Sequence, residues 1–77
     1  MSEHCSDVLI HIDESLDDDN IHEIEYELSQ IDGVYSACVP EKARHLMLVD
    51  YDPLDVETGF LLDRVRRHGL HAELIGL

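Results

Sequence analysis

Positive charge is what this chain lacks most. Five Lys and Arg stand against eighteen Asp and Glu, a net charge of −13. Such a surface repels phosphate backbones and anionic lipid headgroups, which argues against nucleic acid and membrane surfaces as partners. The deficit is uneven: Lys42 is the first basic residue, and twelve of the eighteen Asp and Glu come before it. A bound cation or a basic protein surface would relieve that field. A solvated acidic face that keeps the chain soluble is the plainer alternative.

Cysteine is scarce as well. Cys5 and Cys38 are the only two and form no Cys-x-x-Cys, so free thiols in a reducing compartment are expected rather than a bridge. No apolar stretch approaches a membrane span, and the opening MSEHCSD lacks the basic start and apolar run of a secretory signal; the expected location is cytoplasmic. Catalytic signatures are missing too, with no phosphate-cradling Gly loop, no Ser in a nucleophile elbow and no third partner for a Cys and His pair. The chain is not expected to be an enzyme. Residues 1–77 suffice for a single domain with little core to spare for a buried active site.

What is present reads as six short elements. DVLIHID, residues 7–13, suits a strand with Val8, Ile10 and Ile12 on one face and Leu9, His11 and Asp13 on the other. From Ser15 onward, Ile21, Ile24, Leu28 and Ile31 recur at helical spacing up to Asp32-Gly33, with Ser15 or Asp17 as the cap. VYSACVP and HLMLVDYD read as strands joined by the polar EKAR turn, with Pro40 and Asp52-Pro53 as their stops. A second helix is expected over about 58–68, with Leu61, Leu62 and Val65 inward and Arg64, Arg66 and Arg67 near its negative end. Gly69 ends it, and HAELIGL forms a last strand. The order βαββαβ is the α+β, ferredoxin-like plan.

On this plan the chain resembles the heavy-metal-associated domain family, the metallochaperone-like modules of copper, zinc and mercury handling. The similarity rests on Ile24 and Leu28, IDGV at 31–34, VDYDP at 49–53 and RRHGL at 66–70, and it covers nearly the whole chain. It implies an antiparallel sheet of order 4-1-3-2 with two helices on one face. The family's metal motif, Met-x-Cys-x-x-Cys, belongs at the first strand-to-helix turn, where two thiolates grip a soft metal. Here that turn is DESLDDDN, in which Leu16 takes the place of the Met and no Cys follows, so the thiolate ligands do not carry over. Asp17, Asp18 and Asp19 in a first helical turn complement the helix dipole, which accounts for them structurally. Asp19, Glu23 and Glu27 repeat every four residues as a self-repelling stripe that a cationic partner could use.

The histidines offer a different metal chemistry. In the implied sheet order His11, His45 and His71 gather at one end, and His11 and His71 share the outward face. His45 falls in phase with Met47 and Val49 toward the helices, joining the pair only if its strand starts irregularly. His11 and His71 are thus the expected ligands for Zn, Cu or Ni, with Glu73 or Asp13 supplying oxygen. A separate site is conceivable at the amino terminus: removal of Met1 would leave Ser2-Glu3-His4, able to wrap Cu(II) or Ni(II), with Cys5 for a reduced metal.

Leu9, Leu46, Leu48, Ile75 and Leu77 should also project outward, an apolar patch that suggests a homodimer or a protein partner on the open sheet face, unless the strand phases slip by one. The leading expectation is a non-enzymatic domain working through protein contacts, with His-based transition-metal binding. A metal carrier or sensor and a small-ligand regulatory domain are the alternatives.

Overall fold

The computed structural model describes residues 6–75. Its elements run β1 (Ser6–Ile12), α1 (Asp18–Ser29), β2 (Val34–Cys38), β3 (Leu46–Tyr51), α2 (Thr58–Arg66) and β4 (Ala72–Ile75). One antiparallel sheet takes the order β2-β3-β1-β4, the 4-1-3-2 arrangement read from its other edge.

Alternation along the strands separates two faces. Val8, Ile10, Ile12, Met47, Val49, Tyr51 and Ala72 are buried on the inner one. Ile21, Ile24 and Leu28 of α1 and Leu61 and Val65 of α2 join the same core, so both helices cover that face. Leu16, Val39 and Val56 seal it from the loops. Burying a side chain as fully as Ile24 or Leu28 stabilises by roughly 1.5–3 kcal/mol, which outweighs the repulsion among carboxylates on the outer side of α1.

The ends of the elements answer to local hydrogen bonds rather than to hydrophobic pattern. Asp17, not Ser15, caps α1: its side chain accepts from the Asn20 amide at 2.8 Å. The helix closes at Gln30, leaving Ile31 half-buried beyond it. Gly33 follows at φ +96°, a conformation that a side chain would strain. A Cβ there would also stand 2.7 Å from Asp55 Cβ, so the absent side chain lets the α1–β2 turn press on the β3–α2 loop. The second helix stops at Arg66, two residues short of the expected His68.

Among the described residues no helix or loop covers the outer face. Two rows cross it in register. Cys38, Leu48, Leu9 and Ile75 form one across all four strands, and Leu46, His11 and Glu73 form the next.

Candidate metal centre

The second row ends in a cluster. His11 is the penultimate residue of β1, and Glu73 of β4 is its direct cross-strand partner. Asp13 follows one residue beyond β1, held by its amide to the His71 carbonyl at 2.8 Å. Period-two alternation puts His11, Asp13 and Glu73 on one side, and one ligand atom from each lies within 4.8 Å of the others. This is the single such trio among the described residues. The His11 Nδ1 is 3.3 Å from an Asp13 oxygen but not aligned for a hydrogen bond, so this buried nitrogen has no hydrogen-bond partner among the described residues. An unpaired polar atom of this kind is uncommon in a settled surface.

His45 lies beside the trio rather than under the helices. The turn before β3 tightens, with the Leu46 amide donating to the Ala43 carbonyl, and β3 begins only at Leu46. That irregular start takes His45 out of phase with Met47. Its ring stacks on His11 with centroids 6.1 Å apart and planes 20° from parallel. The His45 Nδ1 donates to the Ile12 carbonyl at 2.9 Å, which leaves Nε2 with a free lone pair in the neutral ring.

His71 takes another course. It is exposed, and its Nδ1 meets Glu14 at 2.6 Å while its amide donates to the second oxygen of the same carboxylate. The hydrogen bond to Glu14 raises the His71 pKa and, reciprocally, holds the Glu14 pKa below the usual carboxylate value. The pairing of His11 with His71 expected from strand phase is thus replaced by stacking of His11 on His45. His71, Asp13 and Glu73 still line one shallow cleft of about 490 Å³, which Arg66 also borders. The amino-terminal Ser2, His4 and Cys5 lie outside the described residues.

Beyond Asp13, the acidic turn makes structural contacts. Besides the Asp17 cap, Asp18 pairs with Arg44 at 2.8 Å and so ties this turn to the β2–β3 turn. Farther along α1, Glu27 is held by His68 at 2.9 Å and faces Arg64 at 3.7 Å. The expected acidic stripe therefore loses its last member to α2. Two contacts had no periodic signal: the clasp of Glu14 on His71, and a hydrogen bond between Asp7 and Asp50, cross-strand partners on the outer face.

Comparison with solved structures decides the fold. The N-terminal domain of a potential copper-translocating P-type ATPase from Bacillus subtilis, in its Cu(I)-loaded state, superposes with a TM-score of 0.83 at 25% identity, covering 94% of this chain and 89% of that one. The fold is that of the heavy-metal-associated domains. A copper-binding domain from HMA7, a P-type ATPase, gives 0.80 at 18% identity over 91% and 93% of the two chains. The CopZ metallochaperone gives 0.76 at 23% over 91% and 100%. No protein-family model matches the chain, and no curated protein matches it. No helix among the described residues is long and apolar enough to cross a membrane.

Proposed function

We propose that this chain is a non-catalytic, metal-related domain that takes a divalent transition ion on its open sheet face and contacts proteins through that same face. The observation that carries the reading is the gathering of His11, Asp13 and Glu73 from two hydrogen-bonded strands. One imidazole and two carboxylates suit Zn(II), Ni(II) or Cu(II), whereas Cu(I) prefers thiolates. His45, whose ring stacks on His11 and whose Nε2 keeps a free lone pair, is the fourth donor of this reading. Solved structures of like fold include a Cu(I)-loaded domain and a metallochaperone, which supports a metal-related role for this fold without prescribing the ligands.

The contact role is supported by the apolar row beside the cluster. Leu48 is 40% and Ile75 37% exposed, and Leu9 lies between them. Contiguous apolar surface on so acidic a protein favours burial against a second copy or a partner.

The test is titration calorimetry of tag-free, metal-stripped protein with Zn(II), Ni(II) and Cu(II). The expected result is one ion per chain, lost in His11→Ala and retained in His71→Ala. Absence of heat with all three ions would end the metal reading.

A further inference from the structure

A second feature lies at the opposite end of the β1–β3 ladder, where Ser6 pairs with Tyr51 rather than His11 with Leu46. There the end of α1, the β3–α2 loop and the first turns of α2 enclose an open trough of about 870 Å³. Its apolar lining includes two of the most exposed large side chains in the protein, Leu54 at 73% and Phe60 at 44%. Asp32, Asp55, Glu57 and Glu27 stand around them, and Arg64 is the one cation of the lining.

The walls are preformed. The Asp52 amide donates to the Gly33 carbonyl at 2.7 Å, and the Asp52 side chain accepts from the Leu54 amide at 2.9 Å. The Asp55 and Val56 amides both return to the Asp52 carbonyl. Leu54 is therefore displayed on a braced loop, and an occupant would meet little ordering cost.

Charge selects the occupant. Four carboxylates against one guanidinium oppose an acidic ligand, and Arg64 is already committed, 3.7 Å from Glu27 and stacked 5.3 Å over the Phe60 ring. Its Nε is buried without a hydrogen-bond partner among the described residues, a donor that a peptide carbonyl could take up as the Arg64 and Phe60 pair opens. We infer that this trough docks a basic amphipathic segment of a partner protein, with apolar side chains on Leu54 and Phe60 and Lys or Arg side chains on Asp32, Asp55 and Glu57. The trough shares no residue with the metal cluster, so this inference stands apart from the metal reading.

The experiment follows the amide resonances of ¹⁵N-labelled protein while a short peptide of leucine and lysine at helical spacing is added. Saturable shifts are expected at Leu54, Asp55, Phe60 and Arg64, weakening with salt. Leu54→Ser and the double change Asp55→Asn with Glu57→Gln should each loosen binding by about fivefold or more. Both should leave the melting temperature nearly unchanged, because these side chains are exposed. Three results would overturn the inference: no saturable binding, shifts spread instead over Asp19 and Glu23, or equal shifts from spermine or from a lysine and serine peptide without apolar anchors.

Discussion

His71 Nδ1 lies 2.6 Å from one oxygen of Glu14, and the His71 amide donates to the other oxygen at 2.8 Å. This double contact joins the start of β4 to the turn after β1. Glu14 has its pKa lowered from 4.5, so its stabilising effect is present above that value and lost as pH falls through the folded-state value. His71 has its pKa raised from 6.5, so its effect is full below that value and lost as pH rises through the folded-state value. The clasp is therefore strongest between 4.5 and 6.5. Thermal melts of His71→Ala should show their largest penalty in that window and a smaller one on either side. A penalty equal at about pH 5.5 and about pH 9 would refute the clasp.

The stacking of His45 on His11 separates ligand from bystander. Adding Zn(II) or Ni(II) at about 100 times its dissociation constant should stabilise the fold by about 2.7 kcal/mol, reversibly with a chelator. His11→Ala should abolish that shift. His45→Ala should weaken affinity without abolishing it, because three donors remain when the fourth is removed. His71→Ala should change it least. If His71→Ala were the damaging variant, the trio of His11, Asp13 and Glu73 would be the wrong site.

These histidines also mark how far the amino-acid sequence could be read. Val8, Ile10 and Ile12 alternate and Ile21, Ile24 and Leu28 recur at helical spacing, so the elements and the sheet they build are legible. Burial against a common core is a strong and repeated signal. The candidate site depends on single hydrogen bonds instead. His45 leaves its expected phase because the Ala43–Leu46 turn tightens, and His71, opposite Asp13, is captured by Glu14. No periodicity encodes either event. Asp13 and Glu73 were legible as oxygen donors because they share a face with His11 by simple alternation.

Asp7 and Asp50 face one another across β1 and β3. Their hydrogen bond requires a shared proton, and that bond, followed by desolvation and charge repulsion, raises the Asp7 pKa above 3.8. A carboxyl raised in the folded state contributes stability that is full below 3.8 and lost as pH rises through its folded value. Near neutrality two like charges then stand in direct cross-strand opposition. Asp7→Asn keeps a donor without the charge, and it should raise the melting temperature at about pH 7 while having little effect near about pH 3. A neutral-pH loss of stability in this variant would show that the ionised pair is favourable, as it would be with a cation between the two carboxylates.

The row of Cys38, Leu48, Leu9 and Ile75 leads to a test of association. Leu48 sits near the middle of the uncovered face, flanked by Cys38 and Leu9 in register. Light scattering of the untagged protein should give a mass that rises with concentration toward twice that of the 8.8 kDa chain. Leu48→Asp places a charge where two faces would meet, and burying an unpaired carboxylate is strongly unfavourable, so the variant should remain monomeric. Its melting temperature at low concentration should move little, since the position is 40% exposed and outside the core. Raising salt should strengthen association of the parent protein, because a net charge of −13 on each copy opposes their approach and is screened within about 8–10 Å at physiological ionic strength. A mass that stays at one chain at every concentration and salt level would leave the row to a different partner.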